Sequence, residues 1–92
     1  MSEAMLDRAR TELPGWQVEG QHLVARWRFP DFSSALAAAV RVGMEAERAA
    51  HHPDLSLGWG YLQVSLTTHD AGGLTTPDLD LAVRIQVLLG RP

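Results

Sequence analysis

Residues 55–68, LSLGWGYLQVSLTT, contain the clearest alternation in the chain. Leu62, Val64 and Leu66 are apolar and the residues between them are polar, which is the period of a β-strand with one buried face. Gly58 and Gly60 interrupt this alternation, and glycines at such positions mark a tight turn or a bulge. The stretch therefore predicts two neighbouring strands and favours an antiparallel sheet in this half of the chain.

A second strand pair is predicted upstream. The segments 16–19 and 22–29 are separated by Gly20 and Gln21, which is the spacing of a β-hairpin with a two-residue turn. Alternation in the second segment places several apolar residues on one face, which we expect to be buried. These residues are Leu23, Ala25, Trp27 and Phe29.

The longest predicted helix lies between the two strand pairs. Asp31 or Ser33 can cap its start, and Pro53 ends it at about His52, because the residue before a proline avoids the α region. Charged residues 41, 45 and 48 fall on one side of this helix, and we predict that an apolar stripe on another side faces the core. The stripe consists of Phe32, Leu36, Val40, Gly43 and Met44.

Two shorter helices are predicted near the ends of the chain. Ser2 can cap a first helix that runs to about Leu13 and is closed by Pro14 and Gly15.

The last helix begins within GGLTTPDLDLA, residues 72–82, where two cap assignments compete. Thr75 followed by Asp78 matches a capping box, whereas Thr76 followed by Pro77 matches the preference for proline at the first helical position. The helix is apolar around much of its circumference, and we expect the surplus to form a subunit contact. Its apolar residues are Leu79, Leu81, Ala82, Ile85, Val87, Leu88 and Leu89.

The order of these elements predicts the fold class. Helix, two strands, helix, two strands and helix favour an α+β fold: a four-stranded antiparallel sheet with the helices packed on one face. The length of 92 residues and the absence of any linker or repeat predict a single domain over residues 1–92.

Composition excludes several classes of function. The chain has no cysteine, so disulfides, a thiolate nucleophile and a sulfur-ligated zinc site are ruled out. A net charge of −3 with scattered arginines argues against direct nucleic-acid binding. No apolar run approaches the roughly 18 residues of a membrane span, and the N-terminus resembles no signal peptide. We therefore expect a cytoplasmic protein without a membrane partner.

The histidines are the strongest candidates for chemistry. His51 and His52 precede Pro53 at the predicted helix exit, and His69 lies where a strand gives way to the glycines at 72 and 73. Imidazole exchanges protons near neutral pH, so these residues favour acid/base chemistry. Two structural alternatives stay open: Glu47 and His51, four residues apart, can form a capping ion pair, and His69 can be a solvated turn residue.

A metal site is the rival use of these histidines. Imidazole is a good ligand for zinc, copper and nickel. Adjacent His51 and His52 cannot easily converge on one ion while the chain turns into Pro53, and the sequence has no HExxH motif. We therefore expect no metal.

Several motifs together resemble one family, the pterin-4a-carbinolamine dehydratases. They are EAERAAHHP at residues 45–53, TTH at 67–69, GGLTTPDLDLA at 72–82, GW at 15–16 and WRFPDFSSAL at 27–36. The similarity covers nearly the whole chain. It departs from the usual family pattern at Leu55, Leu57, Arg48 and Trp59, which affects the expected rim of the pocket more than its centre.

The resemblance implies a function. Members of this family dehydrate 4a-hydroxytetrahydropterin, a by-product of aromatic amino-acid hydroxylases, to the quinonoid dihydropterin. They use no metal and no cofactor beyond their small-molecule pterin substrate, and they form homodimers or homotetramers. By position, His51, His52 and His69 correspond to the active-site histidines of the family. The resemblance further assigns four residues that shape or support the pocket: Trp16, Glu47, Pro53 and Asp78.

Within this interpretation, we hypothesise that His51 and His69 flank C4a of the pterin and that His52 orients the ring. The alternative is a non-catalytic binding protein of the same fold. The resemblance implies two versions of it, a dimerisation cofactor for a transcription factor and an assembly chaperone for Rubisco.

Overall fold

The computed structural model describes residues 1–92. Three helices and four strands follow one another in the order expected from the sequence. In chain order they are α1 (Glu3–Glu12), β1 (Gln17–Glu19), β2 (His22–Arg28), α2 (Phe32–Ala49), β3 (Asp54–Gly58), β4 (Tyr61–Leu66) and α3 (Thr76–Leu89), with a 3₁₀ turn, His69–Ala71, before α3. No helix has both the length and the apolar character needed to span a membrane.

The four strands form one antiparallel sheet in the order β1-β2-β4-β3. Both predicted hairpins are confirmed. Gly20 and Gln21 connect β1 to β2, and Trp59 and Gly60 connect β3 to β4. Gly60 has a φ of 81°, a conformation that glycine adopts without steric cost, so the glycine interruption marks a turn rather than a bulge.

The core lies against one face of this sheet. Leu62, Val64 and Leu66 of β4 are fully buried, as their alternation predicted. Their partners on β2 are Trp27, Ala25 and Leu23, which are also buried. The buried residues form one cluster that includes α2 and α3, so the helices cover this face and leave the other face polar.

The predicted orientation of α2 is wrong. Phe32, Leu36, Val40 and Met44 are 44–59% exposed, so most of the apolar stripe points away from the core. The buried face consists instead of small residues: Ala35, Ala38, Ala39, Val42 and Ala46. Small side chains let the helix lie close to the sheet, which a stripe of large residues would prevent.

The apolar surplus of α3 also has a different explanation. Leu79, Leu81, Ala82 and Ile85 are buried because α3 packs against both α1 and α2, and Val87 is its only large hydrophobic residue with high exposure. Most of the apolar surface of α3 that was expected to form a subunit contact is therefore buried in the core. The exposed apolar face lies on α2.

The helix caps agree with the sequence in most respects. The Ser2 hydroxyl accepts the amide of Met5, and Asp31 rather than Ser33 caps α2 by accepting the Ser34 amide at 2.8 Å. The hydrogen bonds that Asp31 accepts from Ser34 and Ser33 hold the pKa of its carboxyl below the ordinary value. Of the two assignments for α3, Thr75 with Asp78 is correct, since the Asp78 carboxylate accepts the Thr75 amide.

The C-terminal end of α2 comes earlier than expected. The helix ends at Ala49, and Ala50 takes a left-handed conformation with φ 51° and ψ 38°. This conformation is usually left to glycine at a helix end, because a Cβ makes it cost about 1–2 kcal/mol. The turn frees His51 and His52 from the helix before Pro53 is reached, so proline is not what stops it.

Candidate functional site

A cleft of about 280 Å³ opens where the end of α2 meets the end of β4. The three histidines predicted from element ends all line it, together with polar residues of the segment that follows β4. The convergence arises because α2 packs on β3 and β4, which brings its C-terminus near the 3₁₀ turn. The complete lining is Ala50, His51, His52, Thr67, Thr68, His69 and Asp70.

His51 is the most constrained of these histidines. Its Nε2 lies 2.5 Å from Oδ1 of Asp78, and the two side chains are 17% and 0% exposed. A fully buried carboxylate is rare unless charge and hydrogen bonds compensate it. The contact with the buried carboxylate of Asp78 therefore holds the imidazole of His51 in one orientation.

The second oxygen of Asp78 lies near three polar groups of two threonines. The Thr75 amide donates to Oδ2 at 2.9 Å and the Thr68 hydroxyl donates at 2.7 Å, while the Thr75 hydroxyl lies at 3.4 Å. The two threonine hydroxyls are 2.6 Å apart. The carboxylate thus joins three parts of the chain: the segment after α2 through His51, the segment after β4 through Thr68 and the N-cap of α3 through Thr75.

His52 occupies a different environment. Its Nε2 lies 2.9 Å from Oε1 of Glu47, and both side chains are about two-thirds exposed. The sequence suggested that Glu47 pairs with His51, which is wrong. That pairing assumed that the helix continues to residue 51, whereas the left-handed turn at Ala50 redirects His51 toward α3.

His69 lines the cleft from the second contributing segment of the chain, at the start of the 3₁₀ turn. Its side chain is exposed and makes no hydrogen bond within the protein. The backbone before it is fixed, because Thr68 pairs with Gly73 in both directions across the turn. His69 is therefore placed by its backbone rather than by a side-chain partner.

Two residues that the family resemblance assigned to the pocket lie elsewhere. Trp16 is buried in the core, where its ring packs edge-on against Trp27 with 5.4 Å between the ring centroids. Pro53 follows His52 and leads into β3, and it is not among the residues that line the cleft. Neither residue lines the cleft that the resemblance implied they would shape or support.

The sequence interpretation missed Thr68 and Thr75 as site residues. Both were visible in motifs, Thr68 within TTH and Thr75 as a cap candidate, but each has an ordinary local explanation. Only the contact between the segment after β4 and the start of α3 shows that both hydroxyls lie at the same buried carboxylate.

The arrangement has the chemical groups of an acid/base site. Imidazoles on two sides of a cleft can give and take protons, and one of them is oriented by a buried carboxylate. No group of three or more histidine, aspartate or glutamate side chains is arranged to hold a metal ion. Fold and cleft together therefore define a class of small α+β proteins with a histidine site at the exit of the central helix.

Comparison with known proteins identifies the family within this class. The family model described as pterin 4 alpha carbinolamine dehydratase matches residues 1–88. A putative pterin-4-alpha-carbinolamine dehydratase of Roseiflexus sp. is 42% identical over 89 residues, covering 97% of this chain and 96% of the relative. Another from Paracoccus denitrificans is 40% identical over 92 residues, covering 98% and 86%. The chain therefore belongs to the pterin-4-alpha-carbinolamine dehydratase family, whose name denotes a hydro-lyase.

Solved structures agree with this assignment. A transcriptional coactivator/pterin dehydratase from Brucella melitensis superposes with a TM-score of 0.87 at 29% identity and covers 98% of both chains. A pterin dehydratase-like protein described as a RuBisCO assembly factor of the α-carboxysome superposes with a TM-score of 0.65 at 20% identity, covering 84% of this chain and 89% of that one. The second likeness shows a shared fold only.

Proposed function

We propose that this protein dehydrates 4a-hydroxytetrahydropterin to the quinonoid dihydropterin by histidine acid/base catalysis, supporting pterin recycling. The observation that carries the proposal is the convergence of His51, His52 and His69 on one cleft, with His51 held by the buried Asp78. Membership of the family supplies the substrate class.

The reaction needs two proton transfers. The bond between C4a and its hydroxyl oxygen breaks, and that oxygen leaves as water after it receives a proton. A ring nitrogen of the pterin loses a proton, and its electrons form the new double bond of the quinonoid product. Proton transfer by a positioned side chain contributes about 10²–10⁴-fold in rate. Imidazoles on two sides of the cleft match this requirement.

The surroundings of the histidines suggest their roles. His51 is oriented by Asp78, and His69 lines the same cleft without a side-chain partner of its own, so these two are assigned to the proton transfers at C4a. His52 is exposed and paired with Glu47, and it is assigned to orienting the ring. Loss of turnover in His52→Ala at unchanged substrate affinity, with an active His69→Ala, would reverse this assignment.

The direct test is stopped-flow absorbance of freshly generated 4a-hydroxytetrahydropterin with and without the protein. We expect wild type to accelerate dehydration and His51→Ala and His69→Ala to lose most of that acceleration. Arg10→Gln on α1 is a matched surface control, because its only carboxylate partner is Asp7 of the same helix. No acceleration by folded wild type would contradict the proposal and favour the non-catalytic binding role.

We further propose that the protein forms a homo-oligomer through the exposed face of α2. Four large apolar side chains follow one another along this 18-residue helix at intervals of four residues. Contiguous exposed apolar surface of this kind marks an interaction site. Asp31 precedes the helix and Arg48 lies near its end, so an antiparallel two-fold pairing places opposite charges side by side at both ends.

The oligomer is measured by sedimentation velocity on wild type, Val40→Glu and Met44→Glu. We expect wild type to be a dimer or tetramer and both variants to shift toward monomer. Val18→Glu on β1 is the control, since Val18 is exposed to a similar degree but lies outside the α2 face. A monomeric wild type, or an equal shift in the control, would contradict the proposed interface.

A further inference from the structure

The two ring nitrogens of His51 have different surroundings. Nε2 is bound to Asp78, whereas Nδ1 has no hydrogen-bond partner within the protein. A neutral imidazole carries its proton on one nitrogen and offers the other as an acceptor. The hydrogen-bond partner of one ring nitrogen decides which of the two nitrogens carries the proton. Asp78, which binds Nε2, therefore determines whether Nδ1 of His51 offers a bound molecule a donor or an acceptor.

The hydrogen-bond donors around Asp78 indicate its protonation state. The Thr75 amide can only donate, and it faces Oδ2. The Thr68 hydroxyl has one proton and donates it to the same oxygen, so the 2.6 Å contact between the threonine hydroxyls must use the proton of Thr75. Every proton near Oδ2 is then assigned with the carboxylate acting only as an acceptor, which favours its ionised form. An ionised carboxylate can only accept, so its contact with His51 through Oδ1 requires a proton on Nε2.

We propose that Thr68 and Thr75 are positioning residues that hold Asp78 as an acceptor, fix the proton of neutral His51 on Nε2 and leave Nδ1 to exchange a proton with the substrate. The last step rests on the proposed dehydratase function, whereas the position of the proton on His51 does not.

Thr68 is the better residue to test. Its backbone is held by two hydrogen bonds with Gly73, so Thr68→Val removes the hydroxyl while leaving those bonds in place. Thr75, in contrast, caps α3, and changing it also alters the helix start. Thr68→Ser restores a hydroxyl at the same position. Thr11→Val is a matched control, because the Thr11 hydroxyl donates only to a carbonyl on α1, far from the cleft.

The first measurement is long-range ¹H–¹⁵N NMR of the histidine rings in the protein without any pterin. In wild type and Thr11→Val we expect His51 to carry its proton on Nε2, with Nδ1 unprotonated. In Thr68→Val we expect a mixture of the two tautomers, and in Thr68→Ser a return to the wild-type spectrum. A wild-type His51 protonated on Nδ1, or a Thr68→Val spectrum identical to wild type, would overturn the inference.

The second measurement is steady-state dehydration kinetics. Loss of one hydrogen bond to a charged group corresponds to about a tenfold fall in kcat. We expect this fall in Thr68→Val with KM within about twofold of wild type, and recovery in Thr68→Ser. A Thr68→Val enzyme with wild-type kcat would overturn the positioning role.

The two measurements separate this inference from the proposed function. A tautomer that depends on Thr68 in a protein with no dehydratase activity would support the positioning network and overturn the dehydratase proposal. An active wild type whose tautomer and kcat do not depend on Thr68 would support the dehydratase proposal and overturn the network.

Discussion

His51 and His52 are neighbours in the chain, and each pairs with a carboxylate, but the two pairs differ in their surroundings. In the His51–Asp78 pair the carboxylate is fully buried and the imidazole is 17% exposed, and the carboxylate has further donors from two threonines. The His52–Glu47 pair is about two-thirds exposed and has no such support. Water competes strongly for the second pair, whereas in the first pair the carboxylate is shielded from water by burial.

The difference shows that neither adjacency nor pairing determines a role. An exposed ion pair contributes about 0–1 kcal/mol to stability, and its side chains move freely. A buried carboxylate with satisfied hydrogen bonds holds its partner in one geometry, which is what proton transfer requires. The HH dipeptide therefore contains one positioned imidazole and one adaptable imidazole.

The largest effect is expected when the two histidines are exchanged for alanine in turn. His51→Ala should lower kcat by about 10²–10⁴-fold, the range for loss of a general acid or base. His52→Ala should change KM more than kcat, because we assign its ring to orienting the pterin. Stopped-flow dehydration compares the two, and a greater loss of kcat in His52→Ala would invert the contrast.

The second effect concerns the two carboxylates. Asp78→Ala leaves an imidazole, an amide and a hydroxyl without their acceptor, and we expect it to cost roughly 3–5 kcal/mol of unfolding free energy. Glu47→Ala should cost no more than about 0.5 kcal/mol. Urea denaturation at pH 7 measures both. If Asp78→Ala does not fold, the isosteric pair Asp78→Asn and Glu47→Gln provides the same comparison, and equal losses would contradict it.

A smaller effect is expected at Ala50, whose left-handed turn directs the two histidines apart. A β-branched residue fits this conformation poorly, so Ala50→Val should lower the unfolding free energy by about 1–2 kcal/mol. Ala50→Gly should raise it by less than about 1 kcal/mol. Thermal unfolding of both variants provides the check. The turn would not be strained if valine were tolerated as well as alanine.

The smallest effect lies at the other end of α2, away from both pairs. The pKa of Asp31 is lowered by hydrogen bonds from the first turn of the helix. A lowered pKa means that its stabilising contribution is present above the unfolded value of 3.8 and is lost as the pH falls through the folded value. Asp31→Asn retains a cap without the charge. The unfolding free energy of the Asp31→Asn variant should therefore fall less than that of wild type as the pH is lowered. An unchanged pH profile of the unfolding free energy would contradict the role of Asp31 as a charged cap.

Most of the fold follows from sequence patterns because the strands obey a simple rule. A period of two places Leu62, Val64 and Leu66 on one face, and a one-residue shift would expose all of them. Two-residue turns then fix both hairpins. The orientation of α2 could not be found in this way, because the most hydrophobic stripe was assumed to be the buried one. In the folded protein, close packing on the sheet favours the alanine face instead.

The site was predicted in part. The three histidines were identified correctly as neighbours in space, because each lies at an element end in the same half of the fold. Their partners were not, because the pairing of Glu47 assumed a continuous helix and the helix stops at Ala49. Trp16 appeared suited to an aromatic wall, but its position before β1 places it on the buried face beside Trp27.

The sequence by itself determined the element order, the antiparallel hairpins and the helix caps, and it singled out three histidines at element ends. These depend on local rules: side-chain period, turn residues and hydrogen bonds within a few positions. Tertiary structure alone decided which face of α2 is exposed and which histidine pairs with a buried carboxylate. It also decided that Thr68, Thr75 and His51 share Asp78. Those outcomes depend on contacts between residues far apart in the chain, where burial and packing density rather than local pattern set the energy.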